Sequence, residues 1–254
     1  MAITGSGFDG TMNEAQFAKL MHLAGARYAV GSTADFAATQ VSGVRSISIS
    51  AGDAYAPGVL VTSTAAEVMA FSAPTAGQSH LIVLRRTWST NVCELVAIPG
   101  ATTSTTTPTA PPTSYPTINS TPGVIDDQPL YWAWVNATTT AVTLFDVRNP
   151  RDTGWIDIEL GSGWSAYAAS ETPAYRKLGG VVYFRGRASG PTGASATVSV
   201  IPAEFRPEMT IVGITEHSTS QAERYIVSAG GSVTAVVPSA FSFGGIAPYI
   251  AATA

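Results

Sequence analysis

Apolar side chains near the start of the chain recur with a helical period. They stand at i, i+3, i+4 and i+7, so they would lie along one side of a helix. Thr11 and Glu14 have the spacing of a capping box, and Gly25 suits the left-handed residue that ends a helix. These signals together predict a helix over residues 11–25. The apolar residues with this spacing are Phe17, Leu20, Met21 and Ala24.

From residue 44 onward the apolar positions alternate at period two, which is typical of β-strands. The first such stretch covers residues 44–50, and Gly52 with Asp53 predicts a turn after it. Further short runs of β-branched and aliphatic residues are separated by Gly, Pro, Ser or Asn, as in an all-β sandwich. They cover residues 59–62, 67–71, 80–85, 93–98, 130–135 and 142–147.

A second series of strands follows Asn149-Pro150. In residues 155–160 the alternation separates an aliphatic face, which we expect to be buried, from a face expected to be exposed. The aliphatic face carries Ile156, Ile158 and Leu160, and the other carries Trp155, Asp157 and Glu159. Later strands are predicted at residues 181–187, 196–201, 209–214, 224–228 and 232–237, with a hairpin turn at Gly230-Gly231.

Residues 100–123 interrupt this pattern, because they are rich in Thr and Pro and contain almost nothing that could pack. Composition alone leaves open whether the segment is a linker between domains or a surface loop inside one. The strands that follow it are too short a stretch to fold alone. We predict a mainly β fold: two β-sandwich-like domains, residues 1–150 and 151–254, with one short N-terminal α-helix.

Charged residues make up only 12% of the chain, against roughly 25% in an average soluble domain. So few charges protect a surface weakly against self-association, which predicts an oligomer or a part of a larger assembly. A small-residue composition inherited from a GC-rich genome is the alternative explanation. The last segment, Phe241 to Ala254, is weakly apolar, and we expect it to pack on a neighbouring subunit.

The net charge of −4 is spread along the chain without a basic patch, so nucleic acid is not an expected partner. No apolar run has the length of a membrane span, and the first residues lack a signal-peptide pattern. We therefore expect synthesis in a cytoplasm and no membrane insertion. The single cysteine, Cys93, lies in an apolar run and is interpreted as a buried small hydrophobe.

Motifs of catalysis are weak, and we predict no enzyme activity, no cofactor and no metal site. The glycine pattern at residues 5–10 has no preceding strand and is interpreted as a flexible arm, while the one at 161–166 is interpreted as a turn with a packed Trp164. Asp157 and Glu159 share a strand face and are interpreted as exposed residues, not as a glycosidase pair. Three histidines have no second ligand at zinc spacing: His22, His80 and His217.

Five motifs follow one another in the first half of the chain. They are Ile49-Ser50-Ala51-Gly52-Asp53-Ala54-Tyr55 through Gly58-Val59, Leu81-Ile82-Val83-Leu84-Arg85-Arg86, Pro99-Gly100, Gln128-Pro129-Leu130-Tyr131-Trp132-Ala133-Trp134-Val135 and Leu144-Phe145-Asp146-Val147-Arg148. In this order they resemble the N-terminal region of minor tail or baseplate proteins of bacteriophages that infect actinobacteria. The resemblance covers residues 5–149 and implies that the Pro/Thr segment is a loop within a virion-attachment domain.

The second half carries another ordered set of motifs. They are Gly154-Trp155, Leu160-Gly161-Ser162-Gly163-Trp164, Pro173-Ala174-Tyr175-Arg176-Lys177, Val181-Val182-Tyr183-Phe184-Arg185-Gly186, Ile201-Pro202-Ala203-Glu204-Phe205-Arg206-Pro207 and Gly230-Gly231-Ser232-Val233. The set resembles a C-terminal β-domain common at the ends of phage tail and fibre proteins. The resemblance implies a homotrimer whose C-terminal domain recognises a receptor.

Aromatic residues in the second half are the nearest approach to a carbohydrate-binding group, since flat rings stack on sugar faces and Arg donates to hydroxyl groups. They are Trp155, Trp164, Tyr167 and Tyr175, with Arg176. We favour packing for these residues, because they belong to the shared motifs. Receptor contact is expected instead in the polar, Gly-rich loops at 189–194 and 216–222. The candidate contacts are Ser189, Gly190, Thr192, Glu216, His217 and Gln221.

These expectations describe a structural protein of a phage tail tip or baseplate, located in the virion. Its partners would be other tail or baseplate proteins and a host-surface glycan or protein receptor. The alternative is a structural adaptor or collar protein without receptor contact. A third hypothesis, an enzyme that depolymerises cell-wall polysaccharide, has no motif in its favour.

Overall fold

The computed structural model describes residues 13–23, 28–56, 58–104, 106–112, 114, 116–191, 196–218, 221–236 and 240–252. Within these ranges the protein is mainly β, with antiparallel sheets in a sandwich-like arrangement and one α-helix, which confirms the predicted fold class. The chain divides into two compact units, unit 1 (Met1–Pro150) and unit 2 (Arg151–Ala254). The described ranges contain no helix long and apolar enough to cross a membrane.

Unit 1 contains the helix and the first series of strands. In chain order these are α1 (Glu14–Leu23), β1 (Ala29–Ser32), β2 (Ala38–Gln40), β3 (Ser46–Ile49), β4 (Gly52–Ala56), β5 (Val59–Ser63), β6 (Glu67–Ala70), β7 (Gly77–Thr87), β8 (Val92–Ser104), β9 (Ser120–Thr121), β10 (Ile125–Val135) and β11 (Val142–Asp146). The next strand, β12 (Pro150–Asp152), begins at the boundary between the units.

The residue that caps helix α1, Asn13, lies two residues beyond the predicted cap, Thr11. The Asn13 side chain accepts a hydrogen bond from the Gln16 N–H at 2.9 Å, and the Asn13 N–H donates to the Gln16 side chain at 3.1 Å. These reciprocal bonds form a capping box at a later position than the predicted pair of Thr11 and Glu14. Thr11 lies outside the described residues, as do residues 5–10 and Gly25, and Glu14 is the first helical residue.

The apolar stripe of α1 is not its buried side. Phe17 and Leu20 are exposed, whereas Ala18 is fully buried. A Cβ atom on Gly58 would lie only 2.7 Å from the Ala18 Cα, so the two backbones approach closely at this point. Small side chains therefore face inward, since a larger one would not fit the contact.

The largest sheet of unit 1 has the strand order β11–β10–β7–β8, with β9 paired to β10. Smaller sheets have the orders β1–β4–β5 and β2–β3–β6. The main core joins all of these sheets through residues such as Val30, Ile47 and Leu130. Leu81 and Trp132 belong to a second cluster, because successive residues of a strand face opposite sides of its sheet.

Three local predictions in unit 1 are wrong. Strand β8 extends into the Thr-rich segment as far as Ser104, because backbone pairing with β7 does not require side chains that pack. Gly52 and Asp53 begin β4 and do not form a turn. A Cβ on Gly52 would lie 2.5 Å from the Asp35 Cα, so a glycine is needed where these two backbone segments approach each other. Cys93 is exposed, not buried; it is the second residue of β8, beside the turn from β7.

Unit 2 contains the second series of strands. They are β13 (Ile156–Asp157), β14 (Ser165–Ala166), β15 (Ala174–Leu178), β16 (Val181–Arg185), β17 (Arg187–Ser189), β18 (Ala196–Val200), β19 (Ile211–Ser218), β20 (Gln221–Val227), β21 (Ser232–Val236), β22 (Ala240–Ser242) and β23 (Tyr249–Ile250). Short 3-10 helices lie at Ala169–Glu171, Ala203–Phe205 and Phe243–Gly245. The strand orders are β12–β15–β16–β23 with β13 on β15, β14–β17–β22, and β18–β21–β20–β19.

The core of unit 2 includes the C-terminal segment that the sequence assigned to a neighbour. Phe241, Phe243 and Ile246 are buried in this core, so that expectation is wrong for them. Strand β22 pairs with β17, which carries the two phenylalanine rings inward to a centroid distance of 5.0 Å. Ile250 remains exposed.

Candidate functional site

The structure separates the four aromatic residues considered for carbohydrate binding into two buried and two exposed ones. Trp164 and Tyr175 belong to the core, where the Tyr175 ring lies 4.5 Å from the Phe205 ring. Trp155 and Tyr167 are 38% and 51% exposed. The favoured interpretation, packing, therefore holds for the first pair, and the second pair is available at the surface.

Each exposed ring is covered on one face by an arginine. The Arg185 Cζ lies 4.5 Å from the Trp155 ring centroid, and the Arg187 Cζ lies 4.2 Å from the Tyr167 ring centroid. Such cation–π contacts hold a guanidinium and a ring in a fixed relation at the surface. Each of these surface sites thus combines a planar donor with an aromatic ring.

Gly186 separates the two arginines and divides the single predicted strand 181–187 into β16 and β17. Its φ of +84° lies in the left-handed region that favours glycine. A Cβ at this position would lie 2.3 Å from the Thr172 carbonyl oxygen. Only glycine fits here, so the bend that places Arg185 and Arg187 on successive short strands depends on this residue.

Tyr183 and Arg176 extend the same surface. They are register partners on β16 and β15, and Tyr183 is exposed. Arg176 forms a two-pronged ion pair with Asp152, with its Nε 2.7 Å from Oδ1 and its second bond from Nη2 to Oδ2. These hydrogen bonds lower the pKa of Asp152 and raise the pKa of Arg176, so the pair is ionised and its geometry fixed.

We call this set the aromatic–arginine surface: Trp155, Tyr167, Tyr183, Arg176, Arg185 and Arg187. Its rings can stack on apolar faces, and its guanidinium groups can donate to hydroxyl or carboxylate oxygens. The described residues contain no group of histidine, cysteine and acidic side chains that could hold a metal ion.

The predicted receptor residues of the first loop lie beside this surface or outside the described residues. Ser189 ends β17, and its Oγ lies 3.2 Å from the Ser165 Oγ. Gly190 packs on Trp164, because a Cβ there would lie 2.4 Å from the indole ring. The structure therefore gives Gly190 a packing role. Thr192 lies outside the described residues.

The second predicted loop is largely a β-hairpin, which corrects its assignment. Glu216 and His217 belong to β19 and Gln221 belongs to β20. The strand ladder continues to the pair Ser218 and Gln221, because backbone hydrogen bonds form whether or not the side chains are polar. Receptor contact by Glu216, His217 and Gln221 stays a prediction.

Sequence reasoning missed Tyr183, Arg185 and Arg187. The sequence contained a signal for them, because they occupy alternate positions, with Phe184 and Gly186 between them, in the predicted strand 181–187. Alternation marks them as one face of a strand but does not say that this face is exposed. Comparison of the chain with models of protein families and with curated proteins found no match.

Proposed function

We propose that the protein is a structural component of a bacteriophage tail tip or baseplate and that unit 2 binds a host-surface glycan through the aromatic–arginine surface. The observation that carries this proposal is the pairing of exposed Trp155 and Tyr167 with Arg185 and Arg187. A sugar can stack its apolar face on an aromatic side chain, and its hydroxyl oxygens can accept hydrogen bonds from arginine.

The phage context of this proposal is supported by the order of motifs in both halves and by the 12% content of charged residues. In this context unit 1 attaches to other tail or baseplate proteins. The protein acts as a homotrimer in the virion after synthesis in the host cytoplasm. The proposal includes no catalytic step.

A second candidate function is that of an adaptor or collar protein without receptor contact. It is favoured by exposed Met209, Val212 and Ile214, of which the last two project from the same side of β19. An apolar patch of this kind is typical of a surface that another protein covers. An adaptor would use it to bind a virion protein.

Binding of the labelled full-length protein to actinobacterial cells and to their purified envelope polysaccharides tests the two candidates. Loss of a stacked ring removes about 1–2 kcal/mol, so Trp155→Ala or Tyr167→Ala is expected to weaken glycan binding about 5- to 30-fold. Met209→Ala serves as the control, because this exposed residue lies outside the aromatic–arginine surface. Equal binding by all variants would contradict the glycan proposal.

Two further measurements separate the candidates. The mass of the full chain by size-exclusion chromatography with light scattering is expected to be that of a trimer, and a strict monomer would contradict the proposed state. An adaptor predicts that Ile214→Ser abolishes capture of other virion proteins and that Trp155→Ala does not. Release of reducing ends from host envelopes would contradict the absence of a catalytic step.

A further inference from the structure

Unit 1 contains a cleft with a volume of about 350 Å³. It lies among α1, β5 and the turn from β7 to β8. Its apolar lining includes Leu60 and Val92, and its polar lining includes Arg86, Trp88 and Cys93. The volume is in the range of pockets that hold small ligands.

Arg86 is the most buried residue of the cleft, with 1% of its surface exposed. Its Nη2 donates to the Gln128 side-chain oxygen at 2.7 Å. Its Nε and Nη1 have no hydrogen-bond partner among the residues that the structure describes. A buried guanidinium with two nitrogens unpaired is costly, because water no longer solvates the charge.

The nearest acid in the sheet attracts Arg86 but makes no hydrogen bond to it among the described residues. Asp126 is its register partner on β10, but the Asp126 carboxylate accepts a hydrogen bond from the Tyr28 hydroxyl at 2.5 Å. No ion pair joins Asp126 to Arg86 in the described part of the chain. Burial, the largest effect, raises the pKa of Asp126, whereas the hydrogen bond from Tyr28 and the attraction of Arg86 act to lower it.

A second donor of the cleft is also unpaired. The indole Nε1 of Trp88 is buried and has no partner among the described residues. Arg86 and Trp88 are separated by one residue at the end of β7, and both line the cleft. The Nε and Nη1 of Arg86 and the Nε1 of Trp88 lack an acceptor, which an anion in the cleft would supply.

We infer that this cleft binds a carboxylate carried on an apolar group, with the carboxylate held by Arg86 and Trp88 and the apolar group against Leu60 and Val92. A carboxylate matches the planar donors of a guanidinium. Glu14 also lines the cleft and repels further negative charge, which favours a single carboxylate over a phosphate. The inference concerns unit 1 and does not depend on the proposed function of unit 2.

Cys93 provides a reporter inside the cleft, because it is the only cysteine of the chain and is exposed there. Iodoacetate and iodoacetamide alkylate a thiol in the same way, with loss of iodide, but only the first is a carboxylate. Relative to the urea-unfolded chain, Arg86 is expected to raise the iodoacetate-to-iodoacetamide rate ratio at least about fivefold. Arg86→Met should return the ratio to that of the unfolded chain. An unchanged ratio in the native wild type would overturn the inference.

Benzoate and benzyl alcohol form a matched pair of ligands, since they differ mainly in the carboxylate. Benzoate is expected to protect Cys93 from iodoacetamide, and benzyl alcohol is not. Equal protection by the two, or none by either, would overturn the inference. Val92→Trp, which fills the cleft from an exposed position, should abolish protection. This variant also keeps the test decisive if Arg86→Met does not fold.

The carboxylate could belong to a free small molecule or to the end of another polypeptide. A short peptide with an apolar C-terminal residue and a free carboxylate, compared with its C-terminal amide, separates these sources. If the free peptide protects Cys93 from iodoacetamide more strongly than benzoate does, the cleft binds the C-terminus of a polypeptide. Stronger protection by benzoate assigns it to a small molecule. Protection by the amide equal to that by the free peptide would contradict carboxylate recognition.

Discussion

Replacing Asp127 with alanine is expected to destabilise unit 1 by about 3 kcal/mol. The Asp127 side chain is fully buried and accepts two hydrogen bonds from Arg85, at 2.7 and 3.0 Å. It accepts two more from Asn119, from the backbone N–H at 2.9 Å and from the side chain at 2.8 Å. One carboxylate therefore joins β7 to the end of the Pro/Thr segment.

The magnitude follows from what the substitution leaves behind. Removing one member of a buried ion pair costs about 3–5 kcal/mol, because the other charge remains without a partner. The Arg85 side chain is 23% exposed, so water can solvate it in part, which favours the lower end of that range. The donors of Asn119 would lose their acceptor as well.

The same contacts set the pH range of this stabilisation. Burial alone would raise the pKa of Asp127, but the hydrogen bonds from Arg85 and Asn119 outweigh it and hold that pKa below its usual value. A lowered pKa in the folded state means that the stabilisation is present above the unfolded-state pKa of about 3.9. It is lost as the pH falls through the folded-state pKa.

Urea unfolding of the full chain, with hydrogen-exchange mass spectrometry to assign the transition of unit 1, measures the effect. Asp53→Ala is the matched control, because the Asp53 carboxylate is exposed and its hydrogen bond from the Thr62 hydroxyl, at 2.6 Å, is expected to contribute about 1 kcal/mol or less. A loss for Asp127→Ala no larger than that of the control would refute the reasoning.

Three other outcomes are expected. Gly190→Ala should lower the stability of unit 2 by about 1–3 kcal/mol, because the new Cβ would overlap Trp164, and an unchanged melting temperature would contradict this packing. Phe243→Ala should cost about 3–5 kcal/mol in thermal unfolding, whereas Ile250→Ala, at an exposed position, should change little. Burial lowers the pKa of His80, so on acidification the unfolded state takes up a proton before the folded state does. The free energy of unfolding of unit 1 should therefore fall between about pH 7 and 5. His80→Gln should make this free energy less dependent on pH in that range.

Most strands could be predicted from the sequence, because apolar and polar residues alternate along a strand that has one buried face. In residues 155–160 the predicted burial is confirmed, since Ile158 is buried and Asp157 and Glu159 are exposed, but the strand itself covers only Ile156–Asp157. Gly52 shows the limit. A glycine has the same local signature in a turn and at a close approach to a distant residue, here Asp35, so only the fold distinguishes the two.

The candidate surface was predictable only in part. Trp155 and Tyr167 were recognised as aromatic residues suited to sugar stacking, but nothing local separates them from Trp164 and Tyr175 in the core. Arg185 contacts Trp155, which lies 30 positions earlier in the chain, because β13, β15 and β16 pair side by side. A contact of this kind has no periodic signature in the sequence.

The sequence by itself determined the local character of this protein: a mainly β chain that is poor in charge and has a short helix near its N-terminus. Tertiary structure decided which residues became surface and which became core. It buried Phe241 and Phe243, exposed Cys93, and enclosed Arg86 without a contact ion pair among the described residues. The physical reason is that periodicity records which residues share a face, whereas burial depends on which distant strands pair and what they cover.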